Sequence, residues 1–325
     1  MQFVLVGDPI HRAKSGRPYL RRVPLRGEHI VEMVFGQEDL VKVLSNGIRI
    51  HVEKMGSGDV ALVFLHFWGG SARTWRHVTG PLSASFQTIA TDHRGWGESD
   101  APADGYTLDD LAADALGVIE ALGVESYVLI GHSMGGKVAQ LLASRHPKGL
   151  LGLVLVAPAP PSPMHLPTEV RQGMVAAYSS RETIEVTIDQ VLAGKPLSAE
   201  DRAQAIADIL RGASSAKAAW PTSTSQEDIS AAVAAIKVPT LVIAGELDNV
   251  DTVDTLRSEL LSRIPHAVLE VLPQTGHLSP LESPVEIVDF IEEFMGPLDQ
   301  YWLRSNRQIR SKPMQLIAKI KLESD

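Results

Sequence analysis

The 325-residue chain contains no cysteine. That absence excludes disulfides, a thiolate nucleophile and any metal site built on Cys. No apolar run approaches the roughly 18 residues of a membrane span. The opening Met1-Gln2-Phe3-Val4-Leu5-Val6 has no charged leader and breaks at Gly7-Asp8-Pro9, so no signal peptide is expected and the cytoplasm is the default location. No His-x-x-x-His spacing occurs, and His66, His93 and His132 are not spaced as metal ligands; neither a metal nor a cofactor is expected. There is no internal repeat and no low-complexity tract. Hydrophobic residues make up 44% and charged residues 21%, near the average for folded domains, which argues against wholesale disorder.

What is present begins with Gly131-His132-Ser133-Met134-Gly135-Gly136. It follows the apolar run Tyr127–Ile130 and precedes a helical pattern from Lys137. The string G-x-S-x-G is short enough to occur by chance. Its position between strand and helix gives it meaning, because a turn that sharp needs small residues on either side of Ser133 and pushes the hydroxyl out over the strand tip. The start of a helix lies behind it.

A serine hydroxyl becomes a useful nucleophile only when a base takes its proton, and a third group must hold that base in the right tautomer. In strand–turn–helix hydrolases the partners follow in the order Ser, acid, His. Val238–Gly245 reads as a buried strand followed by Glu246-Leu247-Asp248. A helical stretch through Thr255–Ile264 leads to a second strand, Ala267–Leu272, ending in Pro273-Gln274-Thr275-Gly276-His277. Asp248 and His277 thus each sit just past the carboxyl end of a strand, where the catalytic residues of open α/β sheets collect. Taken singly, Asp248 reads as a turn or cap residue and His277 as a loop histidine. Glu246 and Asp251 are rival acids; Asp248 is preferred because its spacing places it in the loop, clear of the strand.

Two further strings complete a pattern. His66-Phe67-Trp68-Gly69-Gly70-Ser71 follows the strand Val60–Leu65, and Asp92-His93-Arg94-Gly95-Trp96-Gly97-Glu98-Ser99 follows Thr88-Ile89-Ala90. Together with Ser133, Asp248 and His277 they make the chain resemble the α/β-hydrolase superfamily, in its capped serine carboxylesterase-like branch, from about Val41 to Met295. The resemblance implies an α/β fold: a mostly parallel twisted sheet flanked by helices, with an inserted helical cap. It implies Ser133, Asp248 and His277 as the catalytic set, with the backbone N–H groups of Trp68 and Met134 as the oxyanion hole. Two such donors can supply roughly 3 kcal/mol each to the developing charge. Phe67 stands where the family usually has glycine; if that position needs a positive φ, phenylalanine is strained there. Arg94 and Asp92 are expected to brace their loop rather than to react.

The organisation read from the sequence is an N-terminal extension at 1–40, an α/β core at 41–157 and 238–295, a helical cap at 158–237 and a C-terminal extension at 296–325. Lys42–Leu44 and Ile48–Lys54 form a hairpin around Asn46-Gly47. A helix after Tyr106 opens with Thr107 and Asp110 as a capping pair. The proline-rich Ala157–Pro163 leads out of the core. Helical segments are expected around Thr168–Tyr178, Arg181–Leu192, Ser198–Arg211 and Gln226–Ile236, and an insertion of about 80 residues far exceeds an ordinary connection. Phe67, Trp68, Met134, Trp220 and Leu278 are candidate pocket-lining groups. The net charge is −9, yet Met1–Arg26 carries a surplus of five positive charges and Gly296–Asp325 a surplus of three. The body is therefore strongly acidic, which speaks against a nucleic-acid partner. Weak order is expected over Met1–Leu25 and beyond Gln300.

Serine at 133 argues against dehalogenase and epoxide-hydrolase chemistry, which in this superfamily uses a carboxylate nucleophile. The absence of cysteine excludes the cysteine-dependent lactone hydrolases of the same fold. His277 is followed by Leu278 rather than the tryptophan common in carbon–carbon bond hydrolases. The expected activity is hydrolysis of a small or medium carboxylic ester through an acyl-enzyme. Enol-lactone hydrolysis, cofactor-free perhydrolysis of the haloperoxidase kind, carbon–carbon bond hydrolysis and a non-catalytic ligand receptor remain open. The partner expected is a small-molecule ester or lactone, and oligomeric state is not readable.

Overall fold

Parallel strands buried on both faces must be apolar along their whole length, and that is how the central strands of this chain read. The computed structural model describes residues 19–24, 30–35 and 39–298. Ten strands form one sheet: β1 (Tyr19–Pro24), β2 (Ile30–Phe35), β3 (Asp39–Ser45), β4 (Ile48–Met55), β5 (Ala61–Leu65), β6 (Gln87–Thr91), β7 (Tyr127–His132), β8 (Leu150–Val156), β9 (Thr240–Gly245) and β10 (Val268–Leu272). Their spatial order is β1-β2-β3-β4-β6-β5-β7-β8-β9-β10. The β1–β4 meander and the β4–β6 pair are antiparallel; from β6 to β10 all neighbours are parallel. The β3–β4 turn places Asn46 and Gly47 at φ 48° and 78°, the left-handed pair that a two-residue hairpin requires.

Alternation along each strand divides the core in two. Val63, Leu65, Leu129 and Leu155 face one side, under α2 (Leu108–Ala121) and α3 (Met134–Ser144). Leu62, Phe64, Ile130 and Val156 face the other, against α1 (Arg76–Leu82) and a final helix over 284–298. Thr107 and Asp110 form a reciprocal capping box at the start of α2, worth about 1 kcal/mol.

Between β8 and β9 the chain makes a helical excursion: α4 (Thr168–Ala177), α5 (Arg181–Thr187) running on into a π-helical turn at Ile188–Leu192, α6 (Ala199–Arg211), α7 (Ser214–Thr222) and α8 (Ser230–Val233). No helical segment is expected from the sequence over α7, which opens with Ser214-Ser215 and contains Pro221. The segment expected over Gln226–Ile236 forms only the single turn α8. There the Asp228 carboxylate accepts the Ser230 N–H at 2.9 Å, a local turn that competes with helix. After β9 come α9 (Val253–Leu256), a π-helical turn at Arg257–Leu261, and α10 (Ser279–Glu282) just before the final helix, α11 (284–298).

At the amino-terminal end, Tyr19–Pro24 pairs with β2 as an edge strand, within the stretch for which weak order is expected. The rest of Met1–Leu25, and the tail beyond Gln300, lie outside the described residues. Among the described residues no helix is long and apolar enough to cross a membrane.

Candidate active site

Ser133 joins β7 to α3 with φ 52° and ψ −114°, a conformation that a residue with a Cβ holds only under strain. Its surroundings impose it. The Ser133 N–H donates to the carbonyl of Val156 on β8, and its own carbonyl accepts the N–H groups of Lys137 and Ala159. A Cβ on Gly131 would lie 2.4 Å from the Gly135 carbonyl oxygen, and one on Gly135 would lie 2.5 Å from that of Leu65. Both glycines therefore answer to backbone packed against backbone, as the motif reading requires.

The loops after β9 and β10 are laced together. Glu246 N–H donates to Leu272 O, Leu247 N–H to Thr275 O, and the Glu246 carboxylate accepts the Gln274 N–H. Asp248 turns inward. Its Oδ1 accepts the N–H groups of Val250 at 2.8 Å and Asp251 at 3.1 Å, and its Oδ2 lies 2.8 Å from His277 Nδ1. A carboxylate only accepts, so His277 carries its proton on Nδ1 and Nε2 is left to accept from Ser133 Oγ, also at 2.8 Å. Of the three acids weighed from the sequence, Asp248 reaches the imidazole, and Glu246 is engaged on the loop surface.

The electrostatics follow from burial. Burial alone would drive His277 toward its neutral form, but the charge and hydrogen bond of Asp248, helped by Asp251 and Glu282, outweigh it and raise its pKa above 6.5. Burial would raise Asp248 too; the His277 charge, the imidazole bond and two backbone N–H groups overcome it and hold the carboxyl below its ordinary range. His277 is anchored by its backbone, donating its N–H to Leu192 O and accepting His132 Nε2–H at its carbonyl. Glu282, a residue the sequence reading leaves without a role, accepts the N–H groups of Gly276, Gly194 and Lys195 on one carboxylate oxygen.

Three other buried histidines, His66, His93 and His132, have structural partners. His66 donates Nδ1–H to Phe67 O and accepts the His93 N–H at Nε2. Burial holds His93 down to about 4 and His132 down to about 3, so both are neutral near pH 7. Asp92 braces its loop by accepting the N–H groups of Ala72 and Glu98. Arg94 instead reaches across to Asp114 on α2 with two short bonds.

In the loop after β5, Phe67 has no positive φ; the left-handed residue is Gly69, at 105°. The substitution of glycine by phenylalanine at 67 therefore brings no backbone strain. Trp68 stacks on Tyr178 with ring centroids 3.9 Å apart, and the Tyr178 hydroxyl donates to Trp68 O at 3.1 Å. Nothing in the sequence marks Tyr178, because the contact spans 110 residues. A cavity of about 500 Å³ opens above Ser133 and His277. Phe67, Trp68 and Trp220 line it as expected, whereas Met134 and Leu278 pack into the core. Its roof is α4, a helix with no buried residue, which presents Val170, Gly173 and Met174 to the space.

A sequence profile for the alpha/beta hydrolase fold matches residues 60–186. The chain is 31% identical over 271 residues to 2-hydroxymuconate semialdehyde hydrolase of Pseudomonas sp. (strain CF600), covering 79% of this chain and 94% of that protein. It is 29% identical over 254 residues to a non-heme haloperoxidase of Rhodococcus erythropolis, covering 72% and 90%. Among solved structures, Est816, described as an N-acyl homoserine lactone degrading enzyme, superimposes with a TM-score of 0.69 at 30% identity, over 78% of this chain and 99% of that one. The chain belongs to the α/β-hydrolase family, and its fold and chemistry class are those of a hydrolase.

Proposed function

We propose that the protein is a serine hydrolase that cleaves a carboxylic ester of a small or medium acyl substrate. The observation that carries this is the continuous chain Asp248 Oδ2, His277, Ser133 Oγ, with 2.8 Å at each link, facing a mostly apolar cavity. Ser133 attacks the acyl carbonyl while His277 Nε2 takes its proton, and Asp248 holds the imidazolium that forms. The oxyanion falls to the N–H groups of Met134 and Trp68. Met134 is the first residue of α3, so its N–H has no acceptor within the helix and points with the helix dipole. His277 returns the proton to the departing alcohol, then activates water against the acyl-enzyme. The apolar walls suit the acyl chain, with the insertion acting as a cap.

The test is hydrolysis of p-nitrophenyl esters from acetate to decanoate, with and without a serine-directed organophosphonate. Turnover with a chain-length optimum, and inhibitor mass on Ser133, is the expected result. Ser133→Ala should abolish turnover with the fold intact; substantial residual hydrolysis in that variant refutes the assignment. A second reading, lactone hydrolysis, draws support from the 30% identity to the lactone-degrading enzyme. It uses the same residues, and proton release from a lactone panel distinguishes it.

A further inference from the structure

The turn that follows Asp248 holds another carboxyl group that ester hydrolysis does not use. Asp251 is 3% exposed and lines the cavity together with Ser133 and His277. Its Oδ2 is sealed from solvent and has no hydrogen-bond partner, which leaves Oδ1 as the oxygen that can meet a molecule bound in the cavity. The backbone fixes it there: the Val250 and Asp251 N–H groups both donate to Asp248 Oδ1, so one turn presents Asp248 to the imidazole and Asp251 to the cavity.

Charged groups face Asp251 from three elements: Asp248 on its own loop, His277 from the loop after β10, and Lys137 from α3. Lys137 is directed elsewhere, its ammonium donating to the carbonyls of Ser162 and Ser225. An ionised Asp251 would be an unpaired buried charge beside the Asp248 carboxylate, which is costly. A carboxylic acid avoids that cost but carries an O–H that needs an acceptor. The cavity lining is mostly apolar, Phe67, Met174, Leu192 and Trp220 among it, and its polar members Asn249, Thr187 and Tyr178 leave Asp251 Oδ2 without a partner.

We propose that Asp251 stands in the cavity as a neutral carboxylic acid and donates its O–H to an uncharged acceptor on the substrate. The preferred substrate is then an ester or lactone bearing a second carbonyl or amide oxygen, not a plain alkyl ester. This substrate assignment rests on the ester-hydrolase reading; the neutral acid does not. Burial, seconded by the Asp248 charge, pushes Asp251 up to about 8 against the opposing pull of His277 and Lys137.

The experiment compares p-nitrophenyl heptanoate with its 4-, 5- and 6-oxo analogues, in the wild type, Asp251→Asn and Asp251→Leu. The readout is the ratio of kcat/KM for oxo ester to alkyl ester. The wild type should favour at least one oxo ester by roughly tenfold or more, and that preference should fall as pH rises through about 8. Asp251→Asn, which keeps an N–H donor, should hold the preference at all pH values; in Asp251→Leu the ratio should collapse toward one. No oxo preference in the wild type, or the same ratio in the leucine variant, overturns the proposal. Should the leucine variant not fold, an identical pH course in wild type and Asp251→Asn overturns it as well. Infrared difference spectra, wild type minus Asp251→Asn, read the acid without any turnover. A protonated-carboxyl band near pH 7 that vanishes above about pH 8 is expected, and its absence sinks the neutral acid. Failure of every ester with that band present would instead indict the ester reading.

Discussion

At the scale of single residues, the proposed mechanism makes His277 the group that sets the working pH. The base must be neutral to accept the Ser133 proton, and its pKa is raised above 6.5. Activity should therefore be lost as pH falls through a value above 6.5, visible as the acid limb of kcat/KM. Asp251 makes an opposite kind of statement about stability. Its folded-state pKa, about 8 against 3.8 for the free group, means that the unfolded chain ionises there first. Stability then declines between about pH 4 and 8 through this residue. Asp251→Asn should accordingly raise the melting temperature by several degrees near pH 7.5 and hardly at all near pH 3.5, as measured by thermal unfolding. Gly135→Ala should cost about 1–3 kcal/mol or more, since its Cβ meets the backbone of Leu65; denaturant titration reads the loss. These positions were legible because each is part of a short string whose backbone has special needs. Ser133, Asp248 and His277 could be numbered from sequence because the turns that carry them are local.

Among elements, the informative contact is between the insertion and the loop after β5. Tyr178, just past α4, stacks on Trp68 and donates to its carbonyl. Ser71 and Arg73 reach Asp208 on α6 from the same loop. If the Trp68 N–H serves the oxyanion, the loop's shape bears on kcat. Tyr178→Phe removes one buried bond, about 1 kcal/mol, and should lower kcat roughly fivefold with little change in KM, measured on the best p-nitrophenyl ester. Sequence could not supply this pairing. Helical periodicity announces that α4 and α6 exist, yet says nothing of which core loop they settle upon. The same limit hid α7, where proline and serine obscured the pattern, and it turned two expected cavity residues, Met134 and Leu278, into core.

For the molecule as a whole, the sheet reaches further toward the amino terminus than composition suggested. β1 extends the antiparallel edge beyond β2 from a stretch whose basic residues had pointed to loose order. Charge counts describe solvation and are silent on whether a backbone finds a strand to pair with. The helical insertion, which sequence marks off by its prolines and length, is in turn not a detachable lid. Leu192 O accepts the His277 N–H, a single Glu282 oxygen gathers the N–H groups of Gly194, Lys195 and Gly276, and a Cβ on Gly194 would run into Gly276. The segment 192–195 is structurally part of the histidine loop. A chimera that grafts a relative's insertion onto this core should stay active only when its splice point leaves residues 192–195 with the recipient, so that diversification of the pocket is confined to the helices on either side of that seam.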